Sequence, residues 1–248
     1  MRTLAFHIDH RLEPGRDANI AAAVGEILAR PCFAILSRAA IHVKDRDKQH
    51  QLKTAESVAA CLLEPDSDAV VCDNGRRGEL VASAEIWTGR HTANYADPKP
   101  LLASSLIIPY EPAHLSEVVE SFVALVATLQ GVAGYATIED DYSRAHKAAL
   151  SAVTDPSDVL RARERKGHFW HDKRVSTEIS GPDWGLVLGP AHLEKLVLDP
   201  AIFPIVRSAG ASKVVFVSVA PEDAAARLDA ARSALGALLM DVSAVPAS

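Results

Sequence analysis

LLASSLIIPYEPAHLSEVVESFVALVATLQGVAGYATIEDD, residues 101–141, decides the fold. Leu102 to Pro109 has the apolar content of a strand. Leu115, Val118, Val119, Phe122, Leu125, Val126 and Leu129 then fall at i, i+3, i+4, i+7, i+10, i+11 and i+14. At helical periodicity these side chains share one stripe, while Glu117, Glu120 and Thr128 take the opposite face. Such a helix lays its stripe on a sheet. Gly131 is expected to end it as a C-terminal cap, and Gly134 to Ile138 returns as a strand.

Outward from this unit the pattern repeats. Towards the N-terminus, Thr3 to Ile8 reads as a strand and Pro14-Gly15 as a turn. A helix follows over 17–30, with Asp17 as its N-cap and Ile20, Val24, Ile27 and Leu28 at helical spacing. Ala39 to Val43 reads as a further strand. Lys44 to Gln51 alternates charge without apolar periodicity, which predicts a solvated loop or a helix start. Asp68 to Cys72 and Glu79 to Thr88 flank Asn74-Gly75, a pair suited to the positive φ of a tight turn, so a β-hairpin is expected. Ala93 to Pro100 reads as a loop between halves.

Towards the C-terminus, Trp184 opens an apolar run to Gly189-Pro190, Gly210 marks a turn, and Val214 to Val219 is strand-like. An alanine-rich helix over 221–240 closes the chain, with Pro221 in its first turn and Glu222 and Asp223 at the positive end of its dipole. Pro-Ala-His-Leu occurs at 112 and again at 190, each time between a strand-like run and a helix. The fold class is α/β (α+β), a mixed sheet or sheets covered by amphipathic helices, with helices at 17–30, 113–130 and 221–240. One domain over 1–248 is expected, with sub-halves 1–98 and 99–248 as the candidate division.

Across its 248 residues the chain is 48% apolar and 23% charged, the balance of a soluble globular protein. A net charge of −6 argues against nucleic acid as a partner and suits a basic one. Cys32, Cys61 and Cys72 are far apart, odd in number and set among apolar neighbours, so they read as small buried residues in a reducing compartment. His7 and Asp9 follow the start too closely for a signal-peptide core, and no apolar run reads as a membrane span. A cytoplasmic protein is expected.

The chemistry-bearing residues are sparse. His7, Asp9 and His10 suggest a metal cluster, but on a strand His7 and Asp9 share one face and His10 takes the other, and no second cluster completes a ligand set. No G-x-S-x-G, G-x-G-x-x-G or G-x-x-x-x-G-K-[ST] is present. No cofactor or metal is therefore expected. Glu139-Asp140-Asp141 ends a strand, where it either meets a cation or basic partner or caps the helix beginning near Tyr142. Asp155 to Arg174 is basic, with Arg161, Arg163, Arg165, Lys166, Lys173 and Arg174 against Asp155, Asp158, Glu164 and Asp172, and carries Phe169, Trp170 and two histidines. It reads as a surface excursion.

Val70 to Gly75, Ser104 to Pro109, the amphipathic helix to Gly134-Tyr135, Trp184 to Pro190 and the closing Val214 to Val219 with its helix together resemble the bacterial immunity proteins called Immunity protein 52. The wider type VI immunity group shares this layout, and the resemblance covers most of residues 30 to 240. It implies an α/β protein with no catalytic machinery that binds and neutralises a cognate toxin made by the same cell. The basic segment Arg161 to Arg174 has no counterpart in that pattern. On this reading Glu139, Asp140 and Asp141, and Arg165 with Trp170, are the two candidate contact surfaces. The competing classes are an enzyme built on His7, Asp9 and the acids at 139–141, and an interaction protein with no toxin.

Overall fold

β1 (Thr3–His10) lies inside one ten-stranded sheet, paired on both sides by strands that enter about a hundred residues later. The structure is a computed structural model and describes residues 1–43, 46–76, 79–89, 101–150, 173–179 and 181–239. The strands are β2 (Arg38–Val43), β3 (Arg46–Leu52), β4 (Ala69–Asp73), β5 (Ser83–Trp87), β6 (Leu102–Pro109), β7 (Gly131–Glu139), β8 (Gly185–Leu188), β9 (Ile205–Ala209) and β10 (Ser212–Phe216). Their order across the sheet is β3-β2-β4-β5-β6-β1-β7-β8-β10-β9, and each neighbouring pair is antiparallel. This is the expected α/β class, but the sheet is single and wholly antiparallel rather than mixed. β1 pairs with β6 from Thr3↔Pro109 to His10↔Leu102, and with β7 from Thr3↔Glu139, so a cut between residues 98 and 99 would leave β1 without either neighbour.

Alternation along the strands makes the two sheet faces unlike. Leu4, Phe6 and Ile8 share a face with Ile41, Val70, Cys72, Ala84, Ile86, Leu106 and Ile108, all buried in one core. Against it pack α1 (Ala18–Leu28), α2 (Ala55–Leu63) and α3 (Leu115–Leu129). Phe122 of α3 sits with its ring centroid 4.7 Å from that of Phe6. The opposite face of β1 carries Thr3, Ala5, His7 and Asp9, and α4 (Tyr142–Leu150) covers part of it through Ala145 on Ala5 and Ile107.

The periodicity of α3 holds: Val118, Val119, Phe122, Leu125, Val126 and Leu129 are buried, and Leu115 is half-buried. Pro112 to Leu129 also has the length and mean hydropathy, 1.2, of a membrane span, which corrects the sequence expectation, but here its apolar stripe is spent on the sheet. Gln130, at φ 51 and ψ 52, supplies the left-handed cap expected of Gly131. Gly131 instead begins β7, where a Cβ would lie 2.9 Å from Ile8 and 3.0 Å from Val126, so glycine is set there by packing.

Other boundaries moved for identifiable reasons. Of Lys44 to Gln51, expected as a loop or helix start, Arg46 to Gln51 belong to the edge strand β3, since backbone pairing to β2 requires no apolar alternation and charge on an edge discourages strand addition. The Asp73–Ser83 hairpin forms, but its connection is longer than a two-residue turn. Asn74 spans it, its amide donating to the Glu79 carbonyl at 2.9 Å. β9 escaped the sequence reading altogether: five residues, mostly not buried, defined by pairing to β10 across Gly210-Ala211. Gly210 has φ +65 as the first of those two loop residues, as a tight hairpin wants.

The closing helix is broken into a 3₁₀ turn at Pro221–Arg227, α6 (Leu228–Leu235) and a second 3₁₀ turn at Gly236–Leu238. Buried Pro221 and Ala224 are three apart, the spacing a 3₁₀ helix eclipses, while Ala231 and Leu235 in α6 are four apart. A short α5 (Pro190–Leu193) follows β8.

Candidate functional site

The acidic turn at the end of β7 divides into three different roles. Glu139 is the last residue of the strand, opposite Thr3, and is 7% exposed. Asp141 is exposed and its Oδ1 accepts from the backbone N–H of Arg144 at 2.9 Å, which caps the first turn of α4. Asp140, 76% exposed, has Oδ2 3.5 Å from Arg144 Nη1. Of the three acids expected to meet a partner, Asp140 presents itself to solvent, held by this exposed ion pair rather than by burial or by a helix cap.

Asp140 stands at the rim of a cleft of about 200 Å³. The fold adds carboxylates from two distant stretches: Asp183, just before β8, and Glu222, in the 3₁₀ turn that follows β10. Arg2 supplies a guanidinium, and Trp184 and Leu228 add apolar wall. With Glu139, Asp140, Asp183 and Glu222 against Arg2, the lining is net acidic. The Tyr110 hydroxyl donates to Glu222 at 2.8 Å and 3.1 Å. Burial, and then this bond to a carboxylate, hold the Tyr110 phenol up at about 12. The contact ties the end of β6 to the C-terminal 3₁₀ turn and fixes one wall of the cleft. Arg2 and Asp183 carry no local signal, and Glu222 read only as a helix-start acid; the three meet only when β1, β7, β8 and β10 pair.

His7 and Asp9 do share a face, as alternation required, with Nε2 of His7 3.3 Å from Oδ1 of Asp9. Both are buried, at 3% and 0% exposure, and the His7 ring stacks on Tyr135 with centroids 5.2 Å apart. His10 turns to the other face, where its Nε2 is 2.8 Å from Ser104 Oγ and its Nδ1 donates to the Leu12 carbonyl at 3.0 Å. Thr3, the partner of Glu139, is four residues from His7, about 13 Å along the strand. The fold therefore does not unite His7 and Asp9 with the acids at 139–141. Among the described residues no group of three or more His, Cys, Asp and Glu side chains is arranged to hold a metal ion. Arg165 and Trp170, the second expected surface, lie outside the described residues.

The two Pro-Ala-His-Leu copies diverge in the fold. His114 is exposed with Nδ1 3.2 Å from the Glu111 carboxylate, whereas His192 is wholly buried. His192 Nδ1 accepts from Gly189 N–H at 3.1 Å and its Nε2 donates to the Glu178 carbonyl at 3.0 Å.

The chain is similar in fold to a type VI secretion system protein. A solved structure that it matches is the Pseudomonas aeruginosa T6SS protein PA0821, with a TM-score of 0.61 at 13% identity, over 97% of this chain and 76% of that one. At that identity the likeness is one of fold. No protein-family model and no curated protein matches the chain, so the Immunity protein 52 resemblance stands on the residues quoted for it.

Proposed function

We propose that this chain is a cytoplasmic immunity protein of a type VI-type toxin system, which binds a cognate toxin and blocks its activity without turnover or a cofactor. The observation that carries the reading is the likeness in fold to a T6SS protein along nearly the whole chain. The sequence resemblance to immunity proteins points the same way. The contact surface on this reading is the acidic cleft, with Asp140 and Glu222 as its exposed carboxylates. Opposite charge speeds encounter and fixes register, so the matching toxin surface is basic.

Co-expression with the product of the neighbouring toxin gene tests this. The wild-type chain should restore growth, and loss of growth with it present would discard the immunity reading. Asp140→Lys should abolish protection while leaving the thermal transition near that of the wild type, since the exposed pair it makes with Arg144 contributes little. Asp141→Lys is a poor probe, since it removes the α4 cap as well as a charge. Protection by Asp140→Lys together with failure of Trp170→Ala would move the contact to the basic segment.

A further inference from the structure

We draw no further inference here: the strongest candidate, the polar row Glu85, Ser105, His7 and Tyr135 that the strand register sets on the sheet face beside α4, carries nothing because nothing among the described residues shows what ligand or segment covers it.

Discussion

Gly25 sits inside α1 with its face against α2, and a Cβ built there would lie 2.3 Å from the Ala55 carbonyl oxygen. In an isolated helix Gly→Ala stabilises by about 1 kcal/mol. Here the clash is with backbone, so Gly25→Ala should reverse that sign and cost about 1–3 kcal/mol in urea unfolding, as overpacking does. A neutral or stabilised variant would mean that the α1–α2 crossing is looser than described. Cys72 offers a second residue-scale test. Burial, the largest cause, pushes its thiol from 9.0 to about 12. Between those values the folded protein holds a proton that the unfolded chain has lost, so stability is full below pH 9 and falls as pH rises. Relative to Cys72→Ala, which cannot titrate there, the wild type should lose about 2 kcal/mol by pH 10.5, since each unit is worth about 1.4 kcal/mol. Parallel pH dependence in the two proteins would refute the burial assignment. The burial of Cys72 was legible from its apolar neighbours. The inward turn of Glu139 was not, because a run of three acids does not reveal where its strand ends.

α3 is the element whose sequence and structure agree best, since its apolar stripe has one surface to cover. Phe122 is fully buried against Phe6, so Phe122→Ala should cost about 3–5 kcal/mol, read as a lower denaturation midpoint with an unchanged far-ultraviolet spectrum under native conditions. A loss under 1 kcal/mol would place Phe122 outside the core. At the start of α4, Asp141→Ala should cost about 1 kcal/mol through the lost cap, and Asp141→Asn should recover most of it. Elements with weaker periodicity were harder to read. β3 and β9 exist because β2 and β10 offer them backbone partners, and backbone pairing leaves no mark on side-chain order. The Pro-Ala-His-Leu copies show the same limit. One leads into a long helix with its histidine in water, the other forms a single turn with its histidine sealed inside.

At the scale of the whole molecule, β1 is the most protected strand by position, with paired neighbours on both sides and buried residues along its full length. Hydrogen exchange should follow the sheet order: amides of Thr3 to His10 slowest, those of β9 markedly faster, since edge strands open in local fluctuations. Slow exchange throughout β9 would show that its free edge is covered in solution. The same centrality explains the cleft. Thr3 next to Glu139 brings Arg2 to the acidic turn, and β7–β8 pairing carries Asp183 alongside.

From its sequence alone the protein is an α/β molecule with a core helix over about 113–130, a capped helix from Asp17, and His7 and Asp9 on one side of a strand. These follow from periodicities of 3.6 and 2, which act between residues a few positions apart. Only the tertiary structure decided that there is one antiparallel sheet, that β1 lies between β6 and β7, and that Arg2, Asp140, Asp183 and Glu222 line one cleft. Those facts depend on which strand edges meet across a hundred residues or more, and the backbone hydrogen bonds that join them are the same for almost any side chain.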